Sequence, residues 1–304
     1  MGGLTNFWEG SVIIGRRELL RGGLGLSAAS ALPSAVCAAS ARGRAALGLA
    51  DITVMKELGR DYAGTLRAIA AMGYSHFGFR LAGYGGGSRE PSAQDKARMV
   101  RDAGLEVGVV RLPPVRPDLD RQIGDAVAIG AKVIAMSAAP PFISGRLGVA
   151  TRAAFDAWLP ELAALGAKCR AAGLTLAYHN HWWDLMPLDG GESPLDIILR
   201  SIAPGDLAIE LDLAWCWYGG VAPLELLARL GPRVSSMHFK DIDRNRGKST
   251  TDHAVVVGAG EMDYAALLPR IRRLTAAVGY IEVDSPPDGL AAAAAGARFV
   301  QAHR

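Results

Sequence analysis

Four segments in the C-terminal half end an apolar run with polar residues of metal-binding type, spaced two apart. They are His179 and His181 in Leu-Thr-Leu-Ala-Tyr-His-Asn-His, Glu210 and Asp212 in Leu-Ala-Ile-Glu-Leu-Asp, His238 and Lys240 in Val-Ser-Ser-Met-His-Phe-Lys, and Glu282 and Asp284 in Gly-Tyr-Ile-Glu-Val-Asp. Side chains at i and i+2 of a strand point the same way, so on neighbouring parallel strands all eight groups converge at one level. Removing so much charge from water is costly unless a cation or matched partners compensate. Asp212, His238 and Glu282 would form an oxygen and nitrogen donor set suited to Mn, Mg, Zn or Co, the hard oxygens leaning towards Mn and Mg. A fourth ligand is expected from the strand before, where His179 and His181 compete; position along the strand favours His179. Glu210 reads as a group that orients a ligand from below. Lys240-Asp241 reads either as part of the site or as a local ion pair opening a loop. Trp182, Trp183, Trp215 and Trp217 crowd the same face, and aromatic faces suit the C–H surface of sugars, although rim tryptophans also cover apolar gaps.

Such convergence needs a scaffold, and the pattern from Ala45 onward supplies one. Short apolar strands are expected at Leu47–Ile52, Ser75–Leu81, Leu105–Val110, Lys132–Met136, Leu174–His179, Leu207–Leu213, Val234–Phe239 and Tyr280–Val283. Between them helical spacing recurs at Tyr62–Met72, Ala93–Ala103, Leu119–Ile129, Thr151–Ala172, Pro194–Ile202, Pro223–Leu230 and Tyr264–Val278, with an alanine-rich helix from Leu290. Gly73, Gly104, Gly130, Gly173, Gly231 and Gly279 stand where each helix would stop, as a left-handed C-cap requires. Eight strand–helix units in about 260 residues match an α/β (β/α)8 TIM barrel, whose active site lies at the C-terminal ends of the strands. The polar pairs sit at those ends. A doubly wound open sheet is the runner-up, but no Gly-x-Gly-x-x-Gly follows the first strand. Gly85-Gly86-Gly87 reads as a flexible loop that lacks the lysine of a phosphate cradle.

Composition bounds the partners. Of 304 residues, 50% are hydrophobic and 21% charged, as in a soluble enzyme, and a formal charge of +3 is too small to suggest a polyanion. With no basic stripe interleaved with aromatics, nucleic-acid binding is not expected. Cys37, Cys169 and Cys216 have no zinc-knuckle or disulfide spacing. At the N-terminus, Gly15-Arg16-Arg17-Glu18-Leu19-Leu20-Arg21 is a twin-arginine motif, followed by an apolar Ala/Gly run from Leu24 and a small-residue cleavage site at Ala39-Ser40-Ala41. Residues 1–41 are therefore expected to be an export signal and residues 42–304 a single barrel domain. That places the mature protein in the periplasm with no membrane contact. An alanine-rich N-terminal helix is the plainer alternative. Oligomeric state is not legible.

Tyr178-His179-Asn180-His181, Glu210-Leu211-Asp212, His238-Phe239-Lys240-Asp241, Val257-Gly258-Ala259-Gly260 and Ile281-Glu282-Val283-Asp284 resemble the xylose-isomerase-like barrels called sugar phosphate isomerases/epimerases. The resemblance spans about Ala45 to Val300 and is strongest after Gly173. It implies one divalent ion, manganese first among candidates, bound by four side chains at the ends of strands five to eight, with Asp212, His238 and Glu282 as three of them and His179 the favoured fourth, and proton transfer beside a sugar carbonyl. By the same likeness Glu282, His179, His181 and Lys240 are the catalytic candidates, and Trp183, Trp215, Asn180 and Asp284 the contacts to a small carbohydrate. Three positions depart from the pattern: His179 and Gly78 stand where relatives often carry Glu, and Arg111 where many carry His. A lyase or hydrolase of keto-glycosides, or a dehydratase, is the nearest alternative on the same site. A damaged-DNA endonuclease and an exported sugar-binding protein without turnover are the others. No arginine cluster for a phosphate is apparent near the strand ends, so a free or keto sugar is expected.

Overall fold

The computed structural model describes residues 46–303 apart from 83–89, 114–117, 190, 248 and 251. The export signal expected over residues 1–41 and the Gly85-Gly86-Gly87 loop lie outside the described residues.

The strands are β1 (Leu47–Ala50), β2 (His76–Arg80), β3 (Glu106–Arg111), β4 (Val133–Met136), β5 (Thr175–His179), β6 (Ala208–Asp212), β7 (Val234–Phe239), a hairpin of β8 (Asp241–Ile242) and β9 (Ala254–Val255), and β10 (Val278–Ile281). All but β8 and β9 close into one parallel barrel in the order β1-β10-β7-β6-β5-β4-β3-β2, the (β/α)8 architecture that the periodicity predicts. Among the described residues no helix is long and apolar enough to cross a membrane.

Most helices end as their glycines require, with Gly73, Gly104, Gly130 and Gly173 at φ 89°, 80°, 72° and 77°. Gly279 does not. The helix expected to run to Val278 stops at Leu274, because Thr275 is extended at φ −153°. Gly279 lies inside β10 instead, where a Cβ would come within 2.1 Å of the Phe239 ring. It is a close-packing glycine, not a cap. Similarly, β1 ends at Ala50 and not at Ile52, since Asp51–Val54 turns into a 3-10 helix. The short helices Pro140–Ile143 and Leu213–Tyr218 had too few residues to register as a period.

Below the site the barrel is plugged by Tyr280. Its ring occupies the space left by three glycines on adjoining strands: a Cβ on Gly48, Gly78 or Gly108 would come within 2.2, 3.5 or 2.6 Å of it. The hydroxyl accepts a hydrogen bond from Val109 N at 3.2 Å. At Gly78 the tighter limit is the Val109 carbonyl oxygen, which a Cβ would approach to 3.0 Å.

Candidate metal centre

Parallel register brings the polar strand ends level. His179 pairs with Glu210, Asp212 with His238, and Tyr280, two residues before Glu282, with His238. One ligand atom each from His179, Asp212, His238 and Glu282 lies within 4.8 Å of the others, and all four residues are buried. Atoms bound to one ion at about 2.1–2.2 Å stand no more than roughly 4.4 Å apart, so this set is within a few tenths of an ångström of a coordination shell.

Each donor is held by its own neighbours. Asp212 caps the helix Leu213–Tyr218, its Oδ1 accepting from Trp215 N at 2.9 Å. Its backbone is bracketed by Asn180, whose Oδ1 accepts from Asp212 N at 2.9 Å and whose amide donates to Asp212 O at 3.3 Å. That leaves Oδ2 buried with no hydrogen bond of good geometry, 3.2 Å from Lys240 Nζ, 3.6 Å from His238 Nδ1 and 4.0 Å from His179 Nε2. His238 Nδ1 stands 3.0 Å from Glu282 Oε2, yet it too lacks an aligned partner. Converging buried donor atoms with nothing aligned on them are what a cation site requires, so the residues fit a divalent ion.

The far nitrogens of both histidines meet one carboxylate. Glu210, fully buried, places Oε2 3.3 Å from His179 Nδ1 and Oε1 3.4 Å from His238 Nε2. It is the orienting group foreseen from sequence, but its main partner was not foreseen. Arg111, at the end of β3, grips both Glu210 oxygens, with Nη2 3.0 Å from Oε1. The same Nη2 lies 2.6 Å from His238 Nε2, and a cation binding at Nδ1 must displace any proton held there. Burial works against ionised Glu210, but Arg111 and His238 hold its carboxyl well below the usual range.

Lys240 is no partner of Asp241. Its Nζ reaches Glu282 Oε1 at 2.6 Å, Asp284 Oδ2 at 3.3 Å and Asp212 Oδ2 at 3.2 Å, 4.7 Å above the Trp215 ring. Burial opposes its charge, yet Asp212, Asp284 and Glu282 keep the ammonium protonated well beyond the ordinary range. Glu282 mirrors this: burial would raise it, and His238 and Lys240 hold it well below normal. Burial drives Asp284 upward against the pull of Lys240. Asp241 instead accepts backbone N–H groups from Ile242, Gly258, Gly260 and Met262, folding the Val257-Gly258-Ala259-Gly260 turn around itself. The local ion-pair reading is therefore wrong.

His181 sits beyond the end of β5, in edge contact with His179 (ring centroids 4.8 Å apart) and stacked on Trp183 at 4.4 Å and 6°. It stands beside the donor set and outside it. Burial, aided by His179 and Lys240, lowers its pKa well below the ordinary value and keeps the ring neutral. Trp183, Trp215 and Asp284 line the adjoining cavity. Asn180 does not: it is fully buried and its amide is committed to Asp212, so it positions a ligand and the expected substrate contact is withdrawn. No arginine cluster for a phosphate is expected near the strand ends, but two arginines do stand there. Arg80 and Arg111 both border the donor set, each paired with a buried carboxylate, Asp51 at 3.2 Å and Glu210. The Phe79-Arg80 and Val110-Arg111 strand ends carried that signal, and Asp51, just past β1, carried the matching charge.

The turn after β5 is pinned by Asp184, which accepts from Tyr178 Oη and His181 N, both at 2.7 Å. Burial outweighs these bonds and pushes its carboxyl up from 3.8 to about 7. A carboxyl whose folded pKa is raised binds its proton more tightly when folded. Its stabilising contribution is thus complete below about pH 4 and is lost as pH rises through about 7. The unfolding free energy of the wild type minus that of Asp184→Asn should fall between pH 5 and pH 8 in urea titrations. A difference that stays flat or rises contradicts the assignment.

A family model described as a xylose isomerase-like TIM barrel matches residues 66–303. No curated protein sequence matches the chain. Among solved structures, a sugar phosphate isomerase/epimerase from Parabacteroides distasonis superposes with a TM-score of 0.70 at 19% identity, covering 89% of this chain and 98% of that one. The probable 3-DHS dehydratase of petrobactin synthesis from Bacillus anthracis gives 0.65 at 14%, covering 84% and 98%. A xylose isomerase-like barrel protein from Mycobacterium smegmatis, solved with magnesium, gives 0.52 at 15%, covering 80% and 87%. With the family model spanning most of the barrel and the strand ends built as described, this chain belongs to the xylose isomerase-like TIM barrel family.

Proposed function

We propose that this protein is an enzyme that uses one divalent cation, manganese by preference, to shift a proton on the carbon beside a sugar carbonyl, interconverting isomers or epimers. The observation that carries the reading is the buried quartet of His179, Asp212, His238 and Glu282, flanked by Lys240 and His181 and opening onto a cavity. A bound ion would polarise the carbonyl and adjacent hydroxyl oxygens and so acidify the C–H between them. Glu282 Oε1, on the Lys240 side of its carboxylate, receives that proton and returns it to the neighbouring carbon for an isomer, or loses it to solvent while the opposite face of the same carbon is protonated for an epimer. Lys240 donates a hydrogen bond to the oxygen on which charge develops, and neutral His181 passes a proton between substrate oxygens. Glu210 and Asn180 hold the donors still.

Pairing of Arg80 with Asp51 and of Arg111 with Glu210 supports an unphosphorylated sugar, and the small formal charge of +3 supports a protein that does not bind nucleic acid. The twin-arginine motif supports export to the periplasm. Loss of a hydroxyl or a sugar-linked group from the same proton-abstracted species is the second reading, supported by the neighbour named as a probable dehydratase.

Metal analysis of purified protein should find about one divalent ion per chain. Manganese at a hundredfold above its Kd should stabilise the fold by about 2.7 kcal/mol, reversed by a chelator. In D2O, deuterium should enter a substrate recovered from a panel of ketoses and keto-glycosides. Finding neither stabilisation by any divalent ion nor exchange into any of these sugars would remove the proposal.

A further inference from the structure

The donor set faces two chambers of opposite character. The one directly over His179, His238 and Arg111 is polar and holds only about 110 Å3. It opens onto a second of about 380 Å3, which shares Leu112, Ser137, His181, Glu282 and Asp284 with it. Away from that shared border, the wall of the second chamber is mostly apolar, with Met136, Ile143, Leu147, Trp182 and Trp183 on it and Lys240 and Thr250 as its polar groups. Trp183 stacks flat on His181, so an aromatic plane runs from the polar chamber out along the apolar one. Leu147, at its edge, is 58% exposed, an apolar side chain left in water at the mouth of a cavity.

A bare sugar does not match these walls. Ligand cavities place a few polar groups to orient a molecule and use apolar surface to hold its bulk; here the polar groups cluster at one end and the apolar surface continues well beyond them. Hydroxyls carried along the outer chamber beyond Lys240 and Thr250 would lose water for few partners. A cavity of roughly 150 Å3 already admits a benzene ring, so the larger chamber has room for one or two fused rings.

Resting on the metal-site reading above, we infer that the substrate is a sugar carrying a flat aromatic substituent, with the sugar at the donor set and the ring against Met136, Ile143, Leu147, Trp182 and Trp183. The Trp183–His181 stack aligns the ring, and the junction between ring and sugar lies beside Glu282 and Asp284, at the border of the two chambers.

The manganese-loaded full chain is titrated with 4-nitrophenol, 4-nitrophenyl β-D-glucopyranoside and methyl β-D-glucopyranoside, followed by tryptophan emission and calorimetry. Both aromatic probes should quench saturably, and the aromatic glycoside should bind at least about tenfold more tightly than the methyl glycoside. Ile143→Arg should weaken both aromatic probes at least about tenfold with manganese affinity unchanged. Leu147→Arg, on an exposed position that the fold does not depend on, should act in the same direction. Equal affinity for the two glycosides, no saturable quenching, or aromatic binding that survives both variants overturns the inference. Failure of manganese to bind, with aromatic selectivity intact, sinks the metal reading and leaves this one supported.

Discussion

Glu282→Gln should leave the barrel folded, weaken manganese binding and lower turnover by about 10²–10⁴-fold, the range for removal of a positioned proton acceptor. The fold survives because Lys240, which loses its 2.6 Å partner, keeps Asp212 and Asp284 at 3.2 and 3.3 Å and is not left as an isolated buried charge. The site does not survive, because glutamine still offers an oxygen towards His238 but has no charge and no basicity towards the substrate. The measurement is deuterium exchange into the substrate alongside a manganese titration, with urea unfolding to establish that the fold is intact. Turnover within a fewfold of wild type would sink the role given to Glu282.

Arg111→Met is expected to be the most destabilising single change at the site. Glu210 is 0% exposed, and its charge is balanced chiefly by the Arg111 guanidinium. Removing one partner of a buried pair costs about 3–5 kcal/mol, because the other is left uncompensated. The double variant Arg111→Met/Glu210→Leu should recover much of that loss in urea unfolding, since neither charge then remains buried. Manganese affinity should stay low in the double variant, because the carboxylate facing His179 Nδ1 and His238 Nε2 is gone; such outer partners are typically worth 10–100-fold in metal affinity. A loss under about 1 kcal/mol for Arg111→Met would show that Glu210 is stabilised mainly by its histidine neighbours.

The two variants mark how differently the parts of the site could be read beforehand. Glu282, Asp212, His238 and His179 were legible because each closes an apolar run, and a period of two fixes the face of every strand residue. Asp51, Arg80 and Arg111 obey the same strand-end rule in the first half of the chain, but they stand singly and not in pairs, so only the closed barrel brings them to the donor set. The apolar chamber was less visible still. Met136 closes β4, and Ile143 and Leu147 follow it in one connection; all three look like ordinary apolar residues until the wall they share with Trp183 is seen.

By itself, the sequence determined the barrel, the end of it that carries chemistry and the candidate donors Asp212, His238 and Glu282, since repeated strand and helix periods and strand-end polarity are local patterns. Tertiary structure alone decided between His179 and His181, reassigned Asn180 from substrate contact to backbone clamp, separated Lys240 from Asp241 and turned Gly279 from a helix cap into a packing glycine. Each of these depends on which strand or ring lies alongside, and that is set by barrel closure and register and leaves no mark on neighbouring residues in the chain.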